Sequence, residues 1–281
     1  MPSSRRSLLM GSLASIPALL SRLQAAESAR VGMIPDAGAT QVSIEEKAPL
    51  RRYLSDAMGC EVNLIIPTNY NATVEALGNG SLDFAYLGAL TYVKAHELYG
   101  VIPLVQRAAD QRFHSLFITQ TASPIRKLGD LGGKSFAFGD INSTSGHLIP
   151  YAEMKQAAID VSQMKVRYTG SHPATAKAVE AGTVDAGALD ETVFHTMVSD
   201  GKVDGSKVRI FHTSAPFVDY VWAARKDLET GARERFAGAF LSLKNGKNEA
   251  ILKILRGEDF VRADDSEYAN IRKIARDLAL L

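Results

Sequence analysis

The stretch Ser135-Phe136-Ala137-Phe138-Gly139-Asp140-Ile141-Asn142-Ser143-Thr144-Ser145-Gly146-His147 decides how this chain is read. Its first residues are short, apolar and aromatic, as a buried strand requires, and from Ser145 to about position 159 the pattern turns helical. A strand running through a polar turn into a helix is the repeating unit of α/β folds. The hydroxyls at this helix start have two competing uses. Ser and Thr are preferred N-caps, because the side-chain oxygen accepts a first-turn N–H. The same helix end carries unpaired N–H groups and the positive end of the dipole, and so suits a small oxyanion without any lysine or arginine.

Outward from this junction the alternation recurs in both directions. Strands are expected at 30–35, 61–66, 83–87 and 101–106, with helices at 43–58, 71–77 and 89–98 between them. A second series has strands at 114–119, 134–138, 165–168, 184–189 and 208–212, with helices opening near Ser145, Pro173 and Glu191. A strand at 220–224 follows Asp219, and the spacing of Phe236, Phe240 and Leu243 makes 228–281 read as nearly all helix. No repeat, low-complexity tract or flexible linker interrupts the pattern. The expected fold is therefore α/β and two-lobed, each lobe a mostly parallel sheet flanked by helices, with the chain crossing between lobes on ordered strands. Residues 29–112 plus 221–281 form lobe 1 and 113–220 lobe 2. Ligands of such sheets bind beyond the carboxyl ends of the strands, here in the cleft between lobes.

The N-terminus has a different character. Arg5-Arg6 precede a modest apolar run, 8–20, and Ala25-Ala26 follow it. A basic start, an apolar middle too short to span a bilayer and a small-residue cleavage region describe an export signal over 1–25. The paired arginines point to the twin-arginine route, although Met10 stands where that pattern often has lysine. Removing the segment takes away three arginines and no acid, leaving 29 basic against 31 acidic residues. That balance gives no electrostatic footprint for nucleic acid or an anionic membrane. Cys60 is the single cysteine, so no internal disulfide can form.

The strand ends carry the candidate chemistry. Tyr70 follows the second strand, Tyr86 and Leu87 close the third, and Ser143, Thr144 and Ser145 follow the sixth. His172, Asp190 with its neighbour Glu191, and Asp219 complete the set. Neutral N–H and O–H donors suit phosphate-like oxygens. The carboxylates have a use as well, since each accepts a bond from a protonated oxygen or an amine on the ligand and repels anions lacking one. Enzymatic motifs are missing: there is no Gly-x-Ser-x-Gly elbow, His-Glu-x-x-His, P-loop or Gly-x-Gly-x-x-Gly. No cofactor and no metal is expected.

On these residues the chain resembles the periplasmic phosphate-, phosphite- and phosphonate-binding proteins of ABC importers. The resemblance spans nearly all of the mature chain. It is carried by Arg30-Val31-Gly32-Met33-Ile34-Pro35, by Asp83-Phe84-Ala85-Tyr86-Leu87-Gly88, by Asp140 to Gly146, by Thr169-Gly170-Ser171-His172 and by Val184-Asp185-Ala186-Gly187-Ala188. It implies a type II periplasmic binding fold and an oxyanion clamp at Ser143, Thr144 and Ser145, with Tyr70 and His172 as further donors. It also implies that Asp219, with Asp190 or Glu191, reads the ligand's proton or amine. Leu87 stands where some members carry a second aromatic, with Tyr86 just before it. The implied partners are a phosphorus oxyanion and an inner-membrane permease, with no nucleic acid, and a monomer is expected. Two other readings compete: a sensory oxyanion-binding protein handing its closed form to a histidine kinase, and an exported enzyme using Asp190, Glu191 and His172.

Overall fold

The computed structural model describes residues 28–35 and 44–281. The expected export signal, and Ser43 at the start of the first expected helix, lie outside the described residues. Among the described residues, eleven strands fall into two sheets. The first is built from β1 (Ala29–Met33), β2 (Val62–Ile65), β3 (Phe84–Leu87), β4 (Ile102–Arg107), β10 (Val221–Ala224) and β11 (Phe260–Arg262), in the order β11-β4-β10-β3-β1-β2. The second holds β5 (Ser115–Gln120), β6 (Ser135–Phe138), β7 (Lys165–Tyr168), β8 (Ala186–Asp190) and β9 (Val208–Thr213), in the order β7-β6-β8-β5-β9.

The helices that flank them are α1 (Ala48–Met58), α2 (Tyr70–Gly78), α3 (Ala89–Tyr99), α4 (Ile149–Gln156), α5 (His172–Glu180), α6 (Glu191–Ser199), α7 (Thr230–Leu241), α8 (Glu249–Leu255) and α9 (Ala269–Asp277). Helix α1 shows why such segments fold as they do. Leu50, Leu54 and Met58 recur every fourth residue and are buried, each burial contributing about 1.5–3 kcal/mol. Gly59 then ends the helix in the left-handed region, φ 68°, which glycine adopts without a Cβ clash.

The sheets are mixed rather than mostly parallel in their pairing. Strand β1 pairs in parallel with β2 and β3, but β10 runs antiparallel between β3 and β4, and β11 antiparallel to β4. In the second sheet β6 is parallel to β7 and β8, whereas β5 is antiparallel to both β8 and β9. The reason is the crossing. The chain leaves lobe 1 through Phe113 directly into β5 and returns through Phe217 directly into β10. Neither strand is fed by a crossover helix, the connection a parallel neighbour would need. Phe113 and Phe217 pair with each other, N–H to carbonyl at 2.8 and 3.0 Å, so the two crossings form a short antiparallel hinge.

Two further expectations are corrected. Residues 228–281 are not nearly all helix: Phe260–Arg262 adds the edge strand β11. The helix expected from Ser145 begins as a π-turn, Thr144–Leu148, before α4 takes over at Ile149. Pro150 explains the second departure. It has no N–H to give to the Gly146 carbonyl, and that carbonyl instead accepts from Gly139 N–H at 2.9 Å.

Both faces of the second sheet are covered. Leu116 and Ile118 of β5 pack with Ala176, Val179, Val193 and Phe194 of α5 and α6. Phe117 points the other way, to Phe136, Phe138 and Met154 of α4, as the two-residue period of a strand dictates. One large core fills lobe 1 and extends to Leu148, Ile149 and Phe217. The start of α4 and the return crossing are thus seated on the first lobe.

Candidate ligand-binding site

The expected site residues converge where the lobes meet. Tyr70, Ser143, Thr144, Ser145, His172, Asp190 and Asp219 are each at most 2 % exposed. All but Asp219 sit at strand ends or helix starts. Asn69 caps α2 through Ala72 N–H at 2.8 Å, which puts Tyr70 in the first helical turn. Ser171 caps α5 through Ala174 N–H at 3.3 Å and does the same for His172. Asp190 caps α6 through Val193 N–H at 2.7 Å. Three helix N-termini therefore face one region, each with its positive dipole end inward.

The three hydroxyls of the clamp turn have separate tasks. Ser143 is the N-cap, its Oγ accepting from Gly146 N–H at 2.9 Å. Thr144 Oγ1 accepts from Leu90 N–H of α3 at 3.0 Å, and its own O–H faces the Asp219 carboxylate. It is committed to joining the lobes. Ser145 Oγ is buried without a hydrogen-bond partner, so of the three it is the hydroxyl that no protein group satisfies. Gly146 is needed for close approach: a Cβ there would meet Ser143 Oγ at 2.9 Å and His172 Cε1 at 3.1 Å.

His172 is oriented by its neighbours. Asp190 N–H donates to Nδ1 at 3.3 Å, so Nδ1 must present its lone pair and the proton resides on Nε2. Nε2 in turn lies 3.5 Å from Tyr70 Oη and 3.3 Å from Tyr220 Oη. With Nδ1 accepting, Nε2 is the ring nitrogen turned to the two tyrosine hydroxyls. Glu191 does not join this cluster through its Oε1, which accepts from His114 N–H at 2.9 Å beside the hinge. Asp190 is thus a buried cap and Glu191 a half-buried hinge contact.

Asp219 lies in the return crossing. Its Oδ1 accepts from Ala89 N–H, at the start of α3, at 3.0 Å, while Oδ2 is buried with no partner. Burial pushes its carboxyl up to about 7, against the bonds from Ala89 and Thr144 that favour the charged form, with Asp190 and Asp110 adding repulsion. Tyr86 stacks on Tyr220 at 5.0 Å with 9° between the rings. Leu87 is fully buried in the lobe 1 core.

Sequence reasoning passed over four contributors. Tyr220 reaches His172 from β10's entry. The first N–H groups of α3, at Ala89 and Leu90, hold Asp219 and Thr144. Asp140 is raised by burial, against bonds from the backbone N–H groups of Asn142 and Tyr70. Behind Tyr220, Arg107 and Asp110 form a buried ion pair. Its guanidinium lies 5.4 Å from the Tyr220 ring centroid. The Gly88-Ala89 strand end was a usable signal for α3. Arg107 and Asp110 carry no motif that could have marked them.

Two α/β lobes joined by paired crossings, with a buried cluster of donors and carboxylates between them, define a two-lobed solute-binding protein. Residues 31–268 match the family described as ABC transporter, phosphonate, periplasmic substrate-binding protein, and the chain belongs to that family. It is 31% identical over 266 residues, 89% of each chain, to the probable ABC transporter phosphite binding protein PhnD1 of Prochlorococcus marinus (strain MIT 9301). The structure of PhnD1 from that organism in complex with methylphosphonate superposes with a TM-score of 0.84 at 30% identity, covering 90% of this chain and 99% of the other. The phosphate-import protein PhnD of Mycolicibacterium smegmatis is 27% identical over 71% of this chain and 67% of its own length.

Proposed function

We propose that this protein captures a small phosphorus oxyanion (a phosphonate, phosphite or phosphate) in the closed cleft and delivers it to an ABC permease in the inner membrane. The observation that carries the reading is two buried polar atoms without protein partners, Ser145 Oγ beside Thr144 in sequence and Asp219 Oδ2 on the carboxylate that Thr144 faces. Ser145 Oγ can donate, and Asp219 Oδ2 can accept. A ligand that satisfies both brings an oxygen acceptor and a P–OH donor on one phosphorus. Sulfate and sulfonates lack that proton near neutral pH and leave a carboxylate facing an anion. The relatives' names, phosphite-binding and phosphate-importing, fall within this chemistry.

Tyr70 and His172 add donors across the cleft, and Asp190 orients the imidazole through its own N–H. Ser143 supports the clamp as its cap, and Tyr86 and Leu87 shape the wall behind Tyr220. No step of covalent chemistry is assigned to these residues, and the protein acts as a monomeric carrier after export by the signal in 1–25. The bodies that close on the ligand are 29–112 with 221–281, and 113–220.

Calorimetric titration with phosphite, methylphosphonate, phosphate and sulfate tests this. At least one phosphorus anion is expected to bind at micromolar Kd or tighter, about −8 kcal/mol, and sulfate far more weakly. Ser145→Ala should lower that affinity by about tenfold, with the melting midpoint of the ligand-free chain unchanged or slightly raised. Binding confined to sulfate, or full affinity in Ser145→Ala, would sink the assignment.

A further inference from the structure

Helix α3 meets the second lobe twice along one face. Leu90 N–H reaches Thr144 Oγ1 at 3.0 Å, and one turn later Lys94 Nζ donates to Asn142 Oδ1 at 2.7 Å. Residues four apart on a helix lie one above the other, so α3 presents both groups to the same stretch of chain, the turn from Asp140 to Thr144. Asn142 is itself braced. Its backbone N–H donates to Asp140 Oδ1 at 2.7 Å, its side chain also bonds that carboxylate, and the Tyr70 backbone N–H approaches the same group from lobe 1. With its amide nitrogen engaged by Asp140, the Asn142 oxygen is turned toward the lysine.

We propose that Lys94 is a positioning residue that latches helix α3 to the clamp turn through Asn142 and so sets how long the cleft stays closed on its anion. This rests on the reading of the cleft as an oxyanion site. Lys94 acts through Asn142, the residue immediately before the Ser143 cap. The bond joins elements of different lobes, so it exists only when the lobes are together. Its partner is a neutral amide, which leaves no stranded charge when the lobes part. Both ends then return to water. A direct Lys94–Asp140 ion pair would instead oppose opening whether or not ligand was present. The ammonium is half-buried, with the Asp140 carboxylate and the His147 imidazole the titratable groups that face it. Partial desolvation strengthens a charge-assisted bond relative to one in open water.

The test compares the wild-type mature chain with Lys94→Met, Lys94→Arg, Asn142→Ala and the Lys94→Met/Asn142→Ala double variant. Stopped-flow release of phosphite and methylphosphonate is the readout. Release should be about tenfold faster in Lys94→Met and in Asn142→Ala, with association changed by no more than about twofold. The double variant should be no faster than either single one, and Lys94→Arg should restore most of the slow release. Ligand-free melting midpoints should stay within about 1 °C, because the variants remove no core contact. Unchanged release in Lys94→Met, or effects that simply add in the double variant, would overturn the latch. If the wild type binds neither phosphite, methylphosphonate nor phosphate, the oxyanion reading itself fails. Small-angle scattering of the ligand-free chains then decides the latch separately. A larger radius of gyration in Lys94→Met supports it, and an unchanged one overturns it.

Discussion

At the scale of single residues, the clamp turn shows that three adjacent hydroxyls need not do the same thing. Ser143 caps, Thr144 ties the lobes, and Ser145 Oγ is buried without a protein partner. Asp219 makes the clearest pH-dependent prediction. Its carboxyl is raised from 3.8 to about 7 in the folded chain. Between those values the folded state holds a proton that the unfolded chain has lost. Stability therefore falls as pH rises through that window and levels off above about 7. Asp219→Asn removes this contribution. Calorimetric melting of the ligand-free chain from pH 4.5 to 8.5 should place the variant about 5 °C or more above wild type at pH 8. The gap should shrink as pH falls toward 5. Parallel wild-type and variant curves would show that Asp219 is not the group responsible.

At the scale of elements, the site depends on three helix starts and one irregular turn. The π-turn Thr144–Leu148 exists because Pro150 cannot supply the N–H that an α-helix would direct at Gly146. π-turns of this kind recur at functional sites. The turn also packs so closely on His172 and Gly139 that only glycine fits at 146. Gly146→Ala should push Ser143 and His172 apart, at an overpacking cost of about 1–3 kcal/mol. Ligand affinity should drop by more than about tenfold, while far-UV circular dichroism keeps its native form. Wild-type affinity in that variant would mean that the turn tolerates displacement and that its geometry is not what binds. Much of this element-level design was legible. Asn69, Ser171 and Ser143 are capping residues at recognisable strand-to-helix turns, because capping is a local interaction. Tyr220 and Ala89, which sequence reasoning passed over, act through contacts distant in the chain. Tyr220 meets His172 across 48 positions, and Ala89 meets Asp219 across 130.

At the scale of the molecule, the two lobes are held by the Phe113–Phe217 hinge on one side and by α3 against the clamp turn on the other. A ligand that bonds to both lobes favours the closed arrangement by its differential affinity alone. With phosphite or methylphosphonate at about one hundred times its Kd, the folded state should gain about 2.7 kcal/mol. That corresponds to a rise of about 5–10 °C in melting midpoint for a chain of this size. Small-angle scattering should show a smaller radius of gyration with ligand than without. A thermal rise with no compaction would indicate binding to an already closed chain.

The sequence by itself determined what local chemistry determines. The 2.0 and 3.6 residue periods set ten of the strands and most of the helices within a few positions. The hydroxyl-rich strand end marked the helix cap, since a strand, its turn and its helix cap are decided within a dozen residues. Tertiary structure alone decided the rest. The three-residue β11 is too short to carry a pattern, and it is a strand only because Phe260 to Arg262 pair with Val105 to Arg107 at the sheet edge. The antiparallel course of β5 and β10 follows from the chain entering each sheet straight from the other lobe. Asp190 caps α6, whereas Glu191 meets His114, 77 positions away. The role of Thr144 in tying the lobes follows from where α3 lands. Each of these depends on partners far away in sequence, and pairing between distant segments leaves no periodic trace in either one.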